Sequence, residues 1–131
     1  MAAPVIPSRR ILVVDDEPLV CDSVKRMLAF YGHEVHAATS GKEALGIVEK
    51  NRFDLIIIDQ FMPVMQGDEL ATAIKSRLPD QHIILITASA ERLQAFSSSN
   101  HTADLIVGKP FQMEELNEAI HRVLTAKNRP G

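Results

Sequence analysis

Five short apolar runs recur along the chain: Ile11–Val14, Val35–Ala38, Leu55–Ile58, Ile83–Ile86 and Leu105–Val107. Three of them are unbroken four-residue blocks of Ile, Leu and Val, the pattern of strands buried on both faces, as in a parallel sheet. Between the runs the apolar positions take a helical period. Val20, Val24, Met27, Leu28 and Tyr31 mark a first helix, with Pro18 in its first turn and Gly32 at its end. Ser40-Gly-Lys-Glu43 has the form of a capping box and opens a second helix that turns Ala44, Leu45 and Val48 inward. Leu70, Ile74 and Leu78 share one face of a third, which Pro79 helps to stop. A fourth, near Ala90–Phe96, is weak and dissolves into Ser97-Ser-Ser-Asn100, residues that favour caps and turns. The last is the clearest, a stripe of Leu116, Ala119, Ile120, Val123 and Leu124. Strand and helix alternate five times, which predicts one α/β domain with a central parallel sheet and helices on both faces.

Composition narrows the class. With 131 residues the chain fits one domain with a real core. It is 46% hydrophobic and 24% charged, as folded soluble proteins are. The 14 Lys and Arg against 17 Asp and Glu leave a charge of −3, which argues against direct nucleic-acid binding. Cys21, the single cysteine, rules out an internal disulfide and is read as a small buried hydrophobe. No run is long and apolar enough for a membrane span, and Met1–Arg10 lacks the apolar core of a signal peptide. A cytoplasmic location is therefore expected. Residues 1–8 read as an N-terminal tail, 9–127 as the domain and 128–131 as a C-terminal tail, which leaves a stand-alone protein and a piece of a larger one equally open.

In open α/β sheets, sites form beyond the carboxyl ends of the strands. Asp15, Asp16 and Glu17 follow the first apolar run, Asp59 the third, Thr87 the fourth, and Lys109 and Pro110 come shortly after the fifth. Each residue alone has a structural reading: Asp16 or Glu17 as a helix cap, Asp59 as a loop residue, Thr87 as a capping hydroxyl, Lys109 as a solvated cation. Together they place three aspartates, a hydroxyl and an ammonium on one sheet edge. Crowded aspartates repel, and a hard divalent cation would neutralise them; Mg²⁺ prefers oxygen ligands of this kind. The five histidines are scattered and show no metal-ligand spacing. Such a site suits phosphoryl chemistry, with an aspartate as nucleophile.

At this point the sequence resembles the receiver domain of two-component response regulators, over Arg9 to Ala126. The resemblance rests on Ile11-Leu-Val-Val-Asp-Asp-Glu-Pro18, Asp54-Leu-Ile-Ile-Ile-Asp59 with Met62-Pro63 and Gly67, Ile86-Thr87-Ala88 and Lys109-Pro110-Phe111. It implies a (βα)5, flavodoxin-like fold with strand order 2-1-3-4-5. It also implies Asp59 as phosphoacceptor, and Asp15, Asp16, Asp59 and the Phe61 backbone carbonyl as ligands of Mg²⁺, with Mn²⁺ as an alternative. By the same resemblance Thr87 is the switch hydroxyl, Lys109 the cation that meets the phosphoryl group, and Lys109–Pro110 a cis bond. The implied donor is a sensor histidine kinase or phosphotransfer protein. The implied output is a downstream protein bound through the fourth helix, fifth strand and fifth helix, not an enzymatic activity on other molecules.

Two departures bear on function. Ile106 stands three residues before the lysine, where the family commonly has Tyr or Phe, so the relay from switch to output face is expected to differ. The second departure is at Gln60 and Phe61, beside Asp59, where the Phe61 ring could shield an acyl phosphate from water; Met62 and Pro63 shape the following turn and Gly67 supplies backbone freedom at the third helix. Other classes fit only parts of the pattern. A pseudo-receiver that binds protein and ignores phosphate is compatible with Ile106 but leaves Asp15, Asp16, Asp59, Thr87 and Lys109 unexplained. A haloacid-dehalogenase-type phosphohydrolase wants a second aspartate where Phe61 stands, and no glycine-rich loop follows the first strand to hold a nucleotide.

Overall fold

The computed structural model describes residues 8–88 and 103–125. Five strands, β1 (Arg10–Val14), β2 (Glu34–Ala38), β3 (Leu55–Asp59), β4 (His82–Thr87) and β5 (Leu105–Gly108), form one sheet of order β2-β1-β3-β4-β5. Every pairing is parallel, with Ile11 beside Val35 and Leu55, and Ile57 beside Ile84. Helices α1 (Pro18–Phe30), α2 (Gly41–Lys50), α3 (Gly67–Arg77) and α4 (Met113–Thr125) cover the two faces. The weak helix expected near Ala90–Phe96, its Ser-rich end and most of both tails lie outside the described residues.

Alternation along each strand divides the core in two. Ile11, Val13, Leu55, Ile57, Ile84 and Ile86 pack on Cys21, Val24 and Leu28 of α1 and Leu116, Ile120 and Leu124 of α4. Leu12, Val14, Ile56, Ile58, Ile83 and Leu85 face the other way, onto Ala44 and Val48 of α2 and Leu70 and Ile74 of α3. This is why β1, β3 and β4 read as unbroken apolar blocks: both sides of each are covered. Ile56 and Ile57 are essentially inaccessible, so truncating either to alanine would cost ~2–5 kcal/mol. Among the described residues no helix is long and apolar enough to cross a membrane.

Every strand is slightly longer than its apolar run, and the additions matter. Asp59 and Thr87 are the last residues of β3 and β4, so the pleat, not a loop, sets where they stand. One expectation is corrected: Leu78 is not on the buried face of α3. The helix stops at Arg77, and Leu78 becomes its C-cap, 39% exposed. The box at Ser40 forms with a shifted second arm. Ser40 Oγ accepts the Glu43 N–H at 3.0 Å, while Glu43 Oε1 accepts the N–H of Thr39 at 2.7 Å instead of that of Ser40.

Candidate functional site

Strand order reverses at β1, whose neighbours are β2 on one side and β3 on the other. A crevice is expected beyond the strand ends at such a place, and three of the predicted acidic residues stand there. Asp15 follows β1 directly; its N–H donates to the Ala38 carbonyl at 3.1 Å and its Oδ1 accepts the Glu17 N–H at 2.9 Å. That second bond corrects the capping reading. Glu17 occupies the N-cap of α1 without a side-chain bond, and Asp15 supplies an acceptor at the helix entry. Cys21 is buried as expected, its thiol 3.3 Å from the Asp15 carbonyl.

Carboxylate oxygens of Asp15, Asp16 and Asp59 lie within 4.8 Å of one another. Lys109 reaches into this group from the end of β5: its Nζ donates to Asp59 Oδ1 at 2.9 Å and stands 3.9 Å from Asp15 Oδ2. The Lys109 N–H is held by the Thr87 carbonyl at 2.8 Å, and Lys109–Pro110 is cis, as the resemblance implied. Thr87 is fully buried at the end of β4, one register position beyond Ile86, the residue paired with Asp59. Phe61 sits two residues past Asp59 in the loop to α3, its ring 47% exposed.

The electrostatics agree with the crowding. Burial pushes the Asp15 carboxyl above its usual pKa, and the nearby charges of Asp59 and Asp16 add to this; the Glu17 N–H and Lys109 oppose it. Burial also works against the Lys109 ammonium. Its hydrogen bond to Asp59 and the charges of Asp59, Asp15 and Glu17 outweigh that, so its pKa lies above the usual lysine value. Among the described residues, three carboxylates thus face one ammonium. The donor set is all oxygen, without thiol or imidazole, and its charge is undercompensated. Both features fit a small hard dication.

Two residues of the site have roles the sequence did not reveal. Gly67 was expected to provide backbone freedom, but it has no positive φ. A Cβ there would fall 2.6 Å from the Asp59 carbonyl oxygen and 2.8 Å from Gln60 Cα, so glycine is needed for close approach. Gln60 is 4% exposed and bonded on all sides. Ile106 is partly buried and packs toward the α2–α3 side of the sheet. A cleft of ≈ 800 Å³ lies at the opposite end of the sheet, lined by Arg10, Arg52, Phe53 and Arg77 among others. It holds none of the aspartate cluster, and Arg10 and Arg77 are already paired with Glu34 and Glu49.

Comparison with known proteins agrees with this geometry. The family model for the response regulator receiver domain matches residues 11–121. Response regulator MprA of Mycobacterium sp. (strain KMS) is 37% identical over 107 residues, covering 82% of this chain and 46% of that protein. MprA of Mycobacterium leprae (strain TN) is 36% identical over 121 residues, 92% of this chain and 53% of its own. The chain therefore spans about half the length of these relatives. Among solved structures, the response regulator protein TrrA of Thermotoga maritima, in complex with Mg(2+)-BeF, is 39% identical with TM-score 0.81, over 88% of this chain and 99% of that one. A CheY-like receiver domain protein from Methanospirillum hungatei JF-1 superposes with TM-score 0.85 at 33% identity, over 95% of this chain and 100% of its own.

Proposed function

The chain belongs to the family of response regulator receiver domains, and from that membership and the site geometry we propose that it is a phosphorylation-controlled switch with Asp59 as acceptor. An Asp59 carboxylate oxygen attacks the phosphorus of a phosphohistidine on a sensor histidine kinase or phosphotransfer protein. The new O–P bond forms as the N–P bond breaks, and the electron pair returns to the imidazole. Asp15, Asp16, Asp59 and the Phe61 carbonyl would hold Mg²⁺ or Mn²⁺, whose charge, when bound, offsets that on the phosphoryl oxygens. Lys109 turns from the Asp59 carboxylate to a phosphoryl oxygen, and the Thr87 hydroxyl offers a hydrogen bond to another.

The observation that carries this reading is the convergence of Asp15, Asp16, Asp59 and Lys109 from the ends of three different strands. A pure binding module gains nothing from crowding buried carboxylates, which costs stability; rule-breaking of this kind belongs at functional sites. An apolar groove of ≈ 630 Å³ beside Lys109, lined by Leu19, Val20, Met27, Pro110 and Phe111, supports docking of the donor protein next to the acceptor. The output face is β5 with α4 beside it, presented to a downstream protein.

Intact mass after incubation with acetyl phosphate and Mg²⁺ tests the reading. One phosphoryl group is expected on wild type, and none without Mg²⁺ or on Asp59→Asn. Wild type that stays unmodified and also fails to bind beryllofluoride would refute it.

A further inference from the structure

Gln60 lies between the Asp59 acceptor and the Phe61 carbonyl, and its amide is spent almost entirely on one partner. Gln60 Oε1 accepts the Asp68 N–H at 2.9 Å, and Gln60 Nε2 donates to Asp68 Oδ1 at 2.9 Å, with a longer contact of 3.4 Å to Gln66 Oε1. The main chain is pinned as well. Gln60 N–H donates to the Ile86 carbonyl at 2.8 Å, and its carbonyl accepts the Gly67 N–H at 2.9 Å. Both peptide planes around Gln60 are thereby tied to β4, which ends at Thr87, and to the first turn of α3. Buried polar groups this fully paired specify one geometry, and losing a partner leaves an uncompensated donor or acceptor.

The loop that follows needs such an anchor. Val64 holds φ 70, a backbone that β-branched residues reach only when their surroundings impose it. Met65 closes the loop's far side by packing on Gly41 at the start of α2, where an added Cβ would meet Met65 Sδ at 2.7 Å. Phe61 lies between these two fixed points, with its ring half exposed and contributing little restraint.

We propose that Gln60 is a positioning residue: its paired amide on Asp68 holds the Phe61 main-chain carbonyl at the aspartate cluster and so sets the affinity for the divalent cation. This rests on the receiver reading above, in which that carbonyl is a metal ligand. Groups that orient metal ligands from behind typically change affinity 10–100-fold when removed.

The test is calorimetric titration of the full chain with Mg²⁺, alongside urea unfolding, for wild type, Gln60→Leu, Gln60→Glu and the double variant Q60E/D68N. Gln60→Leu removes both bonds, and Gln60→Glu sets two carboxylates against each other; each is expected to weaken Mg²⁺ binding about tenfold or more. The double variant reverses donor and acceptor across the pair while keeping the net charge of the wild-type pair, and it should return affinity to within about threefold. Rescue of affinity by the double variant is not expected of a residue that only stabilises the fold, because Gln60→Glu should still bind like wild type once its folded fraction is allowed for. Equal Mg²⁺ affinity in wild type and both single variants, or a double variant as weak as Gln60→Glu, overturns the proposal. Should Gln60→Leu fail to fold, the two glutamate variants decide. Wild type that binds no Mg²⁺ brings down the receiver reading itself, and this proposal with it.

Discussion

Gly67→Ala sets a steric argument against a conformational one, and the structure decides which wins. Alanine normally stabilises a helical position over glycine by up to ~1 kcal/mol. At Gly67, however, the new methyl would stand 2.6 Å from the Asp59 carbonyl oxygen, 2.8 Å from Gln60 Cα and 3.0 Å from the Asp59 carbonyl carbon, all of them backbone atoms. Reaching ordinary contact at 3.4 Å requires about 0.8 Å of movement in the segment that carries Asp59, the proposed acceptor. Overpacking of this kind costs ~1–3 kcal/mol, so against that gain the net effect is destabilising by up to ~2 kcal/mol. Misplacement near 1 Å at a reacting group can also cost ~100-fold in rate. Gly46 in α2 provides the control: an added Cβ there meets nothing within 4 Å, so Gly46→Ala should stabilise by ~0.5–1 kcal/mol. Urea unfolding followed by circular dichroism, paired with the rate of mass gain from acetyl phosphate, reads both quantities. If the two alanine variants shift stability in the same direction, or Gly67→Ala is phosphorylated at the wild-type rate, the close-approach account is wrong.

Other outcomes follow from the same structure. His33 is buried, its Nδ1 accepts the Arg9 N–H at 3.1 Å, and its Nε2 has no partner among the described residues. Burial and the charge of Arg9 hold its pKa below the usual value, with Asp54 opposing. A depressed folded pKa means the unfolded chain binds the proton more readily, so this stability is full above ~6.5 and is lost as pH falls toward the folded value. Urea midpoints at pH 7.5 and 5.5 should drop more in wild type than in His33→Asn; equal drops would contradict this. For Asp15→Asn the opposite sign applies, because a raised folded pKa penalises ionisation as pH rises through the unfolded value. That variant keeps an acceptor for the Glu17 N–H, so without metal it should melt about 4 °C higher, a gain of ~1 kcal/mol, yet lose the Mg²⁺-induced stabilisation of wild type. Phe61→Asn should shorten the phosphoryl lifetime several-fold, read as decay of the phosphorylated mass peak; an unchanged lifetime rejects shielding by the ring.

Apolar blocks and helical stripes were legible because burial on two faces, or on one, writes different periods into the chain. Ile11–Val14, Leu55–Ile58 and Ile83–Ile86 could be assigned as interior parallel strands from that alone, and Asp15, Asp59, Thr87 and Lys109 could be placed at their ends by counting. The resemblance then supplied the strand order. Leu78 was misread because a stripe shows which face a residue would take, not where the last hydrogen bond of the helix falls. Gln60 and Gly67 were invisible in their roles for a related reason. Their partners, Asp68 across a loop and the backbone of Asp59, are set by how β3 and α3 meet, and no local period records that distance. Local patterning thus determined the elements, their succession along the chain and the residues carried at the strand ends. Close approach and the pairing of buried polar groups were decided only in the folded molecule, because both depend on atoms that the chain brings together from distant positions.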